Sequence, residues 1–234
     1  VHPDLVALLA LQDEDTAVAG LESRRRDLDL REQTLDQERS TAEAGIARTR
    51  QAAEAEDKKR RELGMKLQEH RALQERHLVA LDAVRKDREA SAAMSQIEIT
   101  RRVLAQEESE MQTLATRISD LNQAAELEQL SLGELEERQR VERAEIAAAR
   151  SALDQELEAA RAQRNETASR VGRPLLQKYE RIRGRENSNA LYALRGAACG
   201  RCNTAIPLQR RNVMAAGRSV EVCEGCGVLL YAAV

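Results

Sequence analysis

The sequence has no tryptophan and no phenylalanine, and its only aromatic residues are Tyr179, Tyr192 and Tyr231. Without aromatics a core loses its largest units of buried apolar area, which argues against an ordinary globule. Proline occurs only at positions 3, 174 and 207, so the whole stretch between Asp4 and Arg173 lacks it. A proline costs about 3 kcal/mol inside a helix, so so long an absence points to uninterrupted helix. No apolar run approaches the ~18–20 residues needed to span a bilayer. The first residues, VHPDLVALLAL, lack the basic leader and small-residue cleavage site of an export signal. Their apolar patch reads as the first turns of an amphipathic helix, and a cytoplasmic protein is expected. No Ser/His/Asp set, phosphate-cradling glycine loop or paired-acid site stands out, so an enzyme is not expected.

What is present is charge and heptad spacing. One third of the residues are charged, and Ala, Leu, Glu, Arg and Gln dominate, as in long helices or coiled coil. Apolar residues recur every three or four positions. One series includes Val18, Leu21, Leu28, Leu35, Ile46, Ala53 and Leu67; another includes Leu104, Leu114, Ile118, Ala125, Leu132 and Ile146. Such spacing lays a narrow apolar seam along a helix. Arg25, Glu32, Glu56, Glu107 and Glu128 interrupt it, so the seam is expected to be partly wet or to shift register. His70 and His77, one heptad apart, are read as polar seam positions rather than ligands, and His2 is remote from any ligand pattern.

Two pairing helices are expected rather than one. A break within residues 84–95 suits VRKDREASAAMSQIE, where Asp87 with Glu89, or Ser95 with Glu98, can open a helix. A turn just before Asp87 gives nearly equal arms of about 82 and 84 residues, each about 125 Å long at 1.5 Å per residue. The second arm should stop at Gly172-Arg173-Pro174, with Gly172 left-handed. Pro174 then opens a short helix, PLLQKYERIR. GRENSN reads as a loop, ALYAL, SVEV and VLLYA as short strands, and PLQRRNVMAA as one short helix. The fold class is therefore mainly α: a long antiparallel two-helix coiled-coil hairpin over residues 1–172, then a small zinc ribbon with short β-strands over residues 173–234.

All four cysteines lie in that last part, as Cys199-x2-Cys202 and Cys223-x2-Cys226. The spacing is that of a four-thiolate zinc site. Each pair on a tight turn presents two sulfurs to one ion, and Gly200, Gly225 and Gly227 are expected to relax those turns by tolerating positive φ. One structural Zn²⁺ would supply folding energy to a unit too small to hold itself together by apolar burial. Disulfides, a redox C-x-x-C and an iron–sulfur centre fit less well, because the export signal, the βαβ setting and the cluster spacings are missing.

Charge is unevenly spread. From Arg173 onward there are ten Lys/Arg against four Asp/Glu, while the rest holds 27 basic and 36 acidic residues. A basic head on an acidic rod suits an anionic partner. Arg195, Arg201, Arg210, Arg211 and Arg218 are the candidate contact residues, since Arg forks suit phosphates and carboxylates. Tyr192 and Tyr231 could stack on bases, but filling the small core is the favoured role.

The residues KYERIRGR, C-G-R-C, AIPLQ and GRSVEVCEGCGVLLY, with Tyr179, Ile182, Pro207 and Gly217, resemble those of bacterial C4-type zinc-ribbon proteins with an N-terminal helical hairpin. The VRKDREA turn is similar too, with Ala90 in place of an aromatic. The resemblance implies a non-catalytic adaptor whose coiled coil takes protein partners. It implies association with RNA, an alternative sigma factor, or flagellar or secretion components, with a purely protein-binding scaffold as the alternative. An intramolecular hairpin predicts a monomer, although exposed seam positions could pair two chains.

Overall fold

The structure, a computed structural model, describes residues 3–186 and 189–232. Asn187 and Ser188 of the expected GRENSN loop, and His2, lie outside the described residues. The helices are α1 (Pro3–Ala83), α2 (Asp87–Ser169), α3 (Arg173–Glu186) and α4 (Leu208–Ala215). The strands are β1 (Leu191–Arg195), β2 (Ala198–Cys199), β3 (Glu221–Val222) and β4 (Leu229–Tyr231). A long antiparallel α1–α2 hairpin is thus followed by a small sheet region. The turn falls just before Asp87, which with Glu89 places two acids in the first turn of α2, where the helix dipole favours them.

Three boundaries differ from expectation. First, α2 ends at Ser169 through i→i−3 bonds: the Arg170 and Val171 amides donate to the Thr167 and Ala168 carbonyls. Gly172 is not left-handed; its carbonyl instead accepts from the Leu175 and Leu176 amides and so opens α3. Second, α3 runs through Gly184 and Arg185 to Glu186, and Arg183 and Arg185 suit the negative pole of its last turn. Third, β2 carries Cys199 on a strand of its own.

The chain divides into two compact units. One comprises Gln33–Glu142. Its seam buries Leu35, Ile46, Ala53 and Leu67 of α1 with Ile97, Leu104, Leu114, Ala125 and Leu132 of α2. Polar pairs fill some of the interruptions: His70 Nδ1 lies 2.8 Å from Glu107 Oε2, and Thr49 Oγ1 donates to Glu128 Oε1 at 3.2 Å. Buried Gln139 donates to the Leu35 carbonyl at 2.9 Å. The interruptions are met only in part: His70 and Thr49 pair with α2, whereas buried His77 Nδ1 and one carboxylate oxygen each of Glu56 and Glu128 have no hydrogen-bond partner.

The other unit comprises Val1–Glu32 and Arg143–Val234. Here the apolar patch at the start of α1 has its purpose. Leu5, Leu8 and Leu11 pack with Ala168, Val171, Tyr179, Ala190, Leu191 and Leu229 in one core. Polar groups lock the same region. The Leu191 N–H donates to Gln12 Oε1 at 2.8 Å and Gln12 Nε2 donates back to the Leu191 carbonyl at 3.2 Å, so one side chain acts as a strand neighbour to β1. Buried Asp15 accepts from Tyr179 Oη at 2.8 Å, Arg164 Nε at 2.9 Å and Arg183 Nη1 at 2.7 Å. Arg164 also pairs with Glu180. Burial, then the Asp15 bond, drives the Tyr179 hydroxyl well above the usual phenol range.

The sheet order is β2-β1-β4-β3, with β1 and β4 parallel and both outer strands antiparallel to their neighbours. A parallel pair needs a long crossover, and the crossover here carries both cysteine pairs. Cys199 sits opposite Leu194 on β2, and Cys223 directly follows β3.

Candidate metal centre

Two turns of the same design hold the sulfurs. In the first, the Cys199 N–H donates to the Thr204 carbonyl at 2.9 Å and the Asn203 N–H to the Cys199 carbonyl at 3.0 Å. In the second, the Cys223 N–H donates to the Val228 carbonyl and the Gly227 N–H to the Cys223 carbonyl, both at 2.8 Å. Asn203 (φ 59°) and Gly227 (φ 76°) occupy the same place in each turn, where a left-handed residue reverses the chain. Only Gly, and with more strain Asn, suits that conformation.

Gly200 and Gly225 serve differently from the sequence expectation. Neither has positive φ; each is needed for close approach. A Cβ on Gly200 would lie 2.2 Å from the Ala193 carbonyl oxygen, and one on Gly225 would lie 2.3 Å from Thr204 Oγ1. Gly200→Ala should therefore cost about 1–3 kcal/mol through overpacking against backbone. Gly184→Ala, on an open helix face, should not destabilise. Thermal unfolding of the two variants side by side checks this.

The four Sγ atoms all lie within 4.8 Å of one another. Cys199 and Cys226 are 3.8 Å apart, and Cys202 and Cys223 3.6 Å. An ion with metal–sulfur bonds of about 2.3 Å in a tetrahedron puts its sulfurs about 3.8 Å apart. A disulfide would need about 2.05 Å, and all four cysteines are free. The cluster fits a single metal ion. Cys199 and Cys223 are buried, Cys226 is half-buried and Cys202 is exposed. The Cys202 thiol is held down at about 6, first by the Thr204 hydroxyl and then by the Thr204 backbone. Burial pushes the Cys226 thiol up to about 12. A metal binds thiolates, so it must displace the proton from the half-buried group while Cys202 is nearly ready.

A second small core backs the sulfurs: Ile206, Met214, Val228 and Leu230 with Cys199 and Cys223. α4 supplies Met214 and ends in a glycine cap. Gly217 (φ 66°) donates to the Met214 carbonyl and Arg218 to the Val213 carbonyl, the paired bonds of a Schellman motif. Tyr192 and Tyr231 are half-buried against the two cores.

The five arginines fall into different settings. Arg195, Arg201 and Arg218 are exposed and Arg211 is half-buried. Arg210 is bound internally: it donates to Glu224 Oε1 at 2.8 Å, Glu221 Oε2 at 3.0 Å and the Val222 carbonyl at 2.7 Å, tying α4 to β3. Nothing in the sequence separated it from its neighbours. Among the described residues, the four cysteines are the His, Cys, Asp and Glu group placed to hold a metal, and no helix is long and apolar enough to cross a membrane.

No protein-family profile matches the chain, and no curated protein matches it in sequence. Solved structures do share its fold. CT398 from Chlamydia trachomatis superposes with a TM-score of 0.84 at 17% identity, covering 98% of each chain. The HP0958 protein from Helicobacter pylori CCUG 17874 gives 0.77 at 16%, covering 99% of each. A protein from Mycobacterium smegmatis gives 0.64 at 21%, covering 97% of this chain and 96% of its own. At these identities the likeness is one of fold.

Proposed function

We propose that the chain is a non-catalytic adaptor of the bacterial zinc-ribbon type, acting in the cytoplasm, with Cys199, Cys202, Cys223 and Cys226 holding one structural Zn²⁺. The observation that carries this reading is the sulfur cluster, four soft ligands at tetrahedral spacing with no His or carboxylate among them. Four protein ligands close the coordination sphere, which suits a structural rather than a catalytic ion. The helical hairpin takes protein partners, and the basic head binds RNA or DNA.

Arg195, Arg201, Arg211 and Arg218 are the contact residues in this reading; Arg210 holds the head together. If these four each neutralise one phosphate, affinity for duplex should fall about 100-fold between 50 and 200 mM salt. A gel-shift series with the zinc-loaded full chain measures the slope, and affinity that does not change with salt removes nucleic acid from the proposal. The second reading is a purely protein-binding scaffold. Exposed Leu127, Leu130 and Val141 on α2 favour it, because they are apolar side chains the described contacts leave uncovered. Capture of partners on the full chain, with and without nuclease, separates the two: partners lost with nuclease support the first, partners retained the second.

A further inference from the structure

The two cysteine turns match bond for bond, so their residues can be compared place for place. Thr204 in the first corresponds to Val228 in the second: each gives its carbonyl to the N–H of the leading cysteine. The two side chains have nearly the same shape and differ by a hydroxyl in place of a methyl. Val228 is fully buried, while Thr204 is exposed. An exposed hydroxyl can bond water at no cost, yet Thr204 Oγ1 is turned to Cys202 Sγ at 3.1 Å. Gly225 makes room for that orientation, since a Cβ there would meet Thr204 Oγ1 at 2.3 Å and Cys202 Sγ at 3.4 Å. The carbonyl, the hydroxyl and the absent side chain at 225 together fix Thr204 between the two turns.

We propose that Thr204 is a positioning residue for the metal, its hydroxyl donating to the Cys202 thiolate. This rests on the zinc reading above. Cys202 is the one exposed ligand of the four, so it is the sulfur that water and competing chelators reach most easily. Cys199 and Cys223 are held by burial, with the Arg201 N–H also donating to Cys199 Sγ at 3.4 Å; exposed Cys202 is held by the Thr204 hydroxyl. A donor to an ionised acceptor is about twice as strong as a neutral pair, and loss of an outer partner of a metal ligand typically costs 10–100-fold in affinity. The bond also draws charge from the sulfur, which raises the energy needed to move an electron from sulfur to metal.

The test is metal competition against a chromophoric chelator on the full chain, with Zn²⁺ for affinity and Co²⁺ for spectroscopy. Thr204→Val reproduces in the first turn the side chain the second already carries. It should weaken Zn²⁺ binding about 10–100-fold and move the sulfur-to-cobalt charge-transfer band to longer wavelength. Thr204→Ser keeps the donor and should stay close to wild type in both. If Thr204→Val binds as wild type does, or Thr204→Ser falls as far as Thr204→Val, the inference is overturned while the zinc reading stands. Wild-type protein that takes up no metal at all overturns both.

Discussion

Replacing Cys223 by Ser should release the metal and unravel the part of the head that surrounds it, leaving the α1–α2 hairpin helical. Cys223 is buried in the second core beside Cys199, Ile206, Met214 and Val228. That core is too small to persist on apolar burial. Structural zinc in finger peptides is worth about 10–16 kcal/mol, as much as a whole domain's ordinary stability of about 5–15 kcal/mol. Amide exchange reads the outcome. Protection of residues 199–206, α4 and β3 should disappear, while most of the far-UV helical signal remains. The first core does not depend on the sulfurs: Leu8, Leu11, Tyr179, Leu191 and Leu229 close on one another. Protection surviving around α4 in metal-free protein would show that the ion is not what folds that region.

Asp15→Ala should cost about 3–5 kcal/mol, the range for removing one partner of a buried ion pair. The substitution takes this partner from Arg183 and the Tyr179 hydroxyl and leaves Arg164 with Glu180 alone, in a region where Asp15 is only 4% exposed. Such a loss is several times that expected at Arg25–Asp154, which has the same short 2.7 Å contact but is open to water and should be worth about 0–1 kcal/mol. Burial, not distance, decides the difference. Denaturant unfolding followed by tyrosine fluorescence is well suited, because the chain has no tryptophan and Tyr179 bonds directly to Asp15. A loss under about 1 kcal/mol would mean that water reaches the freed arginines, contrary to the packing described.

The features legible in the sequence are those set by local rules. The proline-free heptads define α1 and α2, the arm lengths place the turn before Asp87, and the cysteine spacing marks the four-sulfur cluster. Features set by distant partners were not legible. Leu5, Leu8 and Leu11 look like any helical apolar face, and only the fold reveals that they belong to the core of the head. Asp15 lies 149 residues from Arg164 and 164 from Tyr179, so no periodicity links them. The parallel pairing of β1 with β4 leaves no trace in strands of five and three residues. Arg210 reads as one more surface cation until Glu221 and Glu224 are seen around it. At Gly200 and Gly225 the sequence shows that a side chain is absent but not that the Ala193 carbonyl oxygen and Thr204 Oγ1 fill its place.

The contact between Gln12 and Leu191 spans 179 residues of chain. A ribosome adding about 5–20 residues per second needs roughly 10–35 s to travel that distance. Throughout that interval Leu5, Leu8 and Leu11 have emerged without the strands that will cover them. That apolar face is therefore sticky while the later strands are still being made, and newborn copies translated in a crowd have time to meet through it.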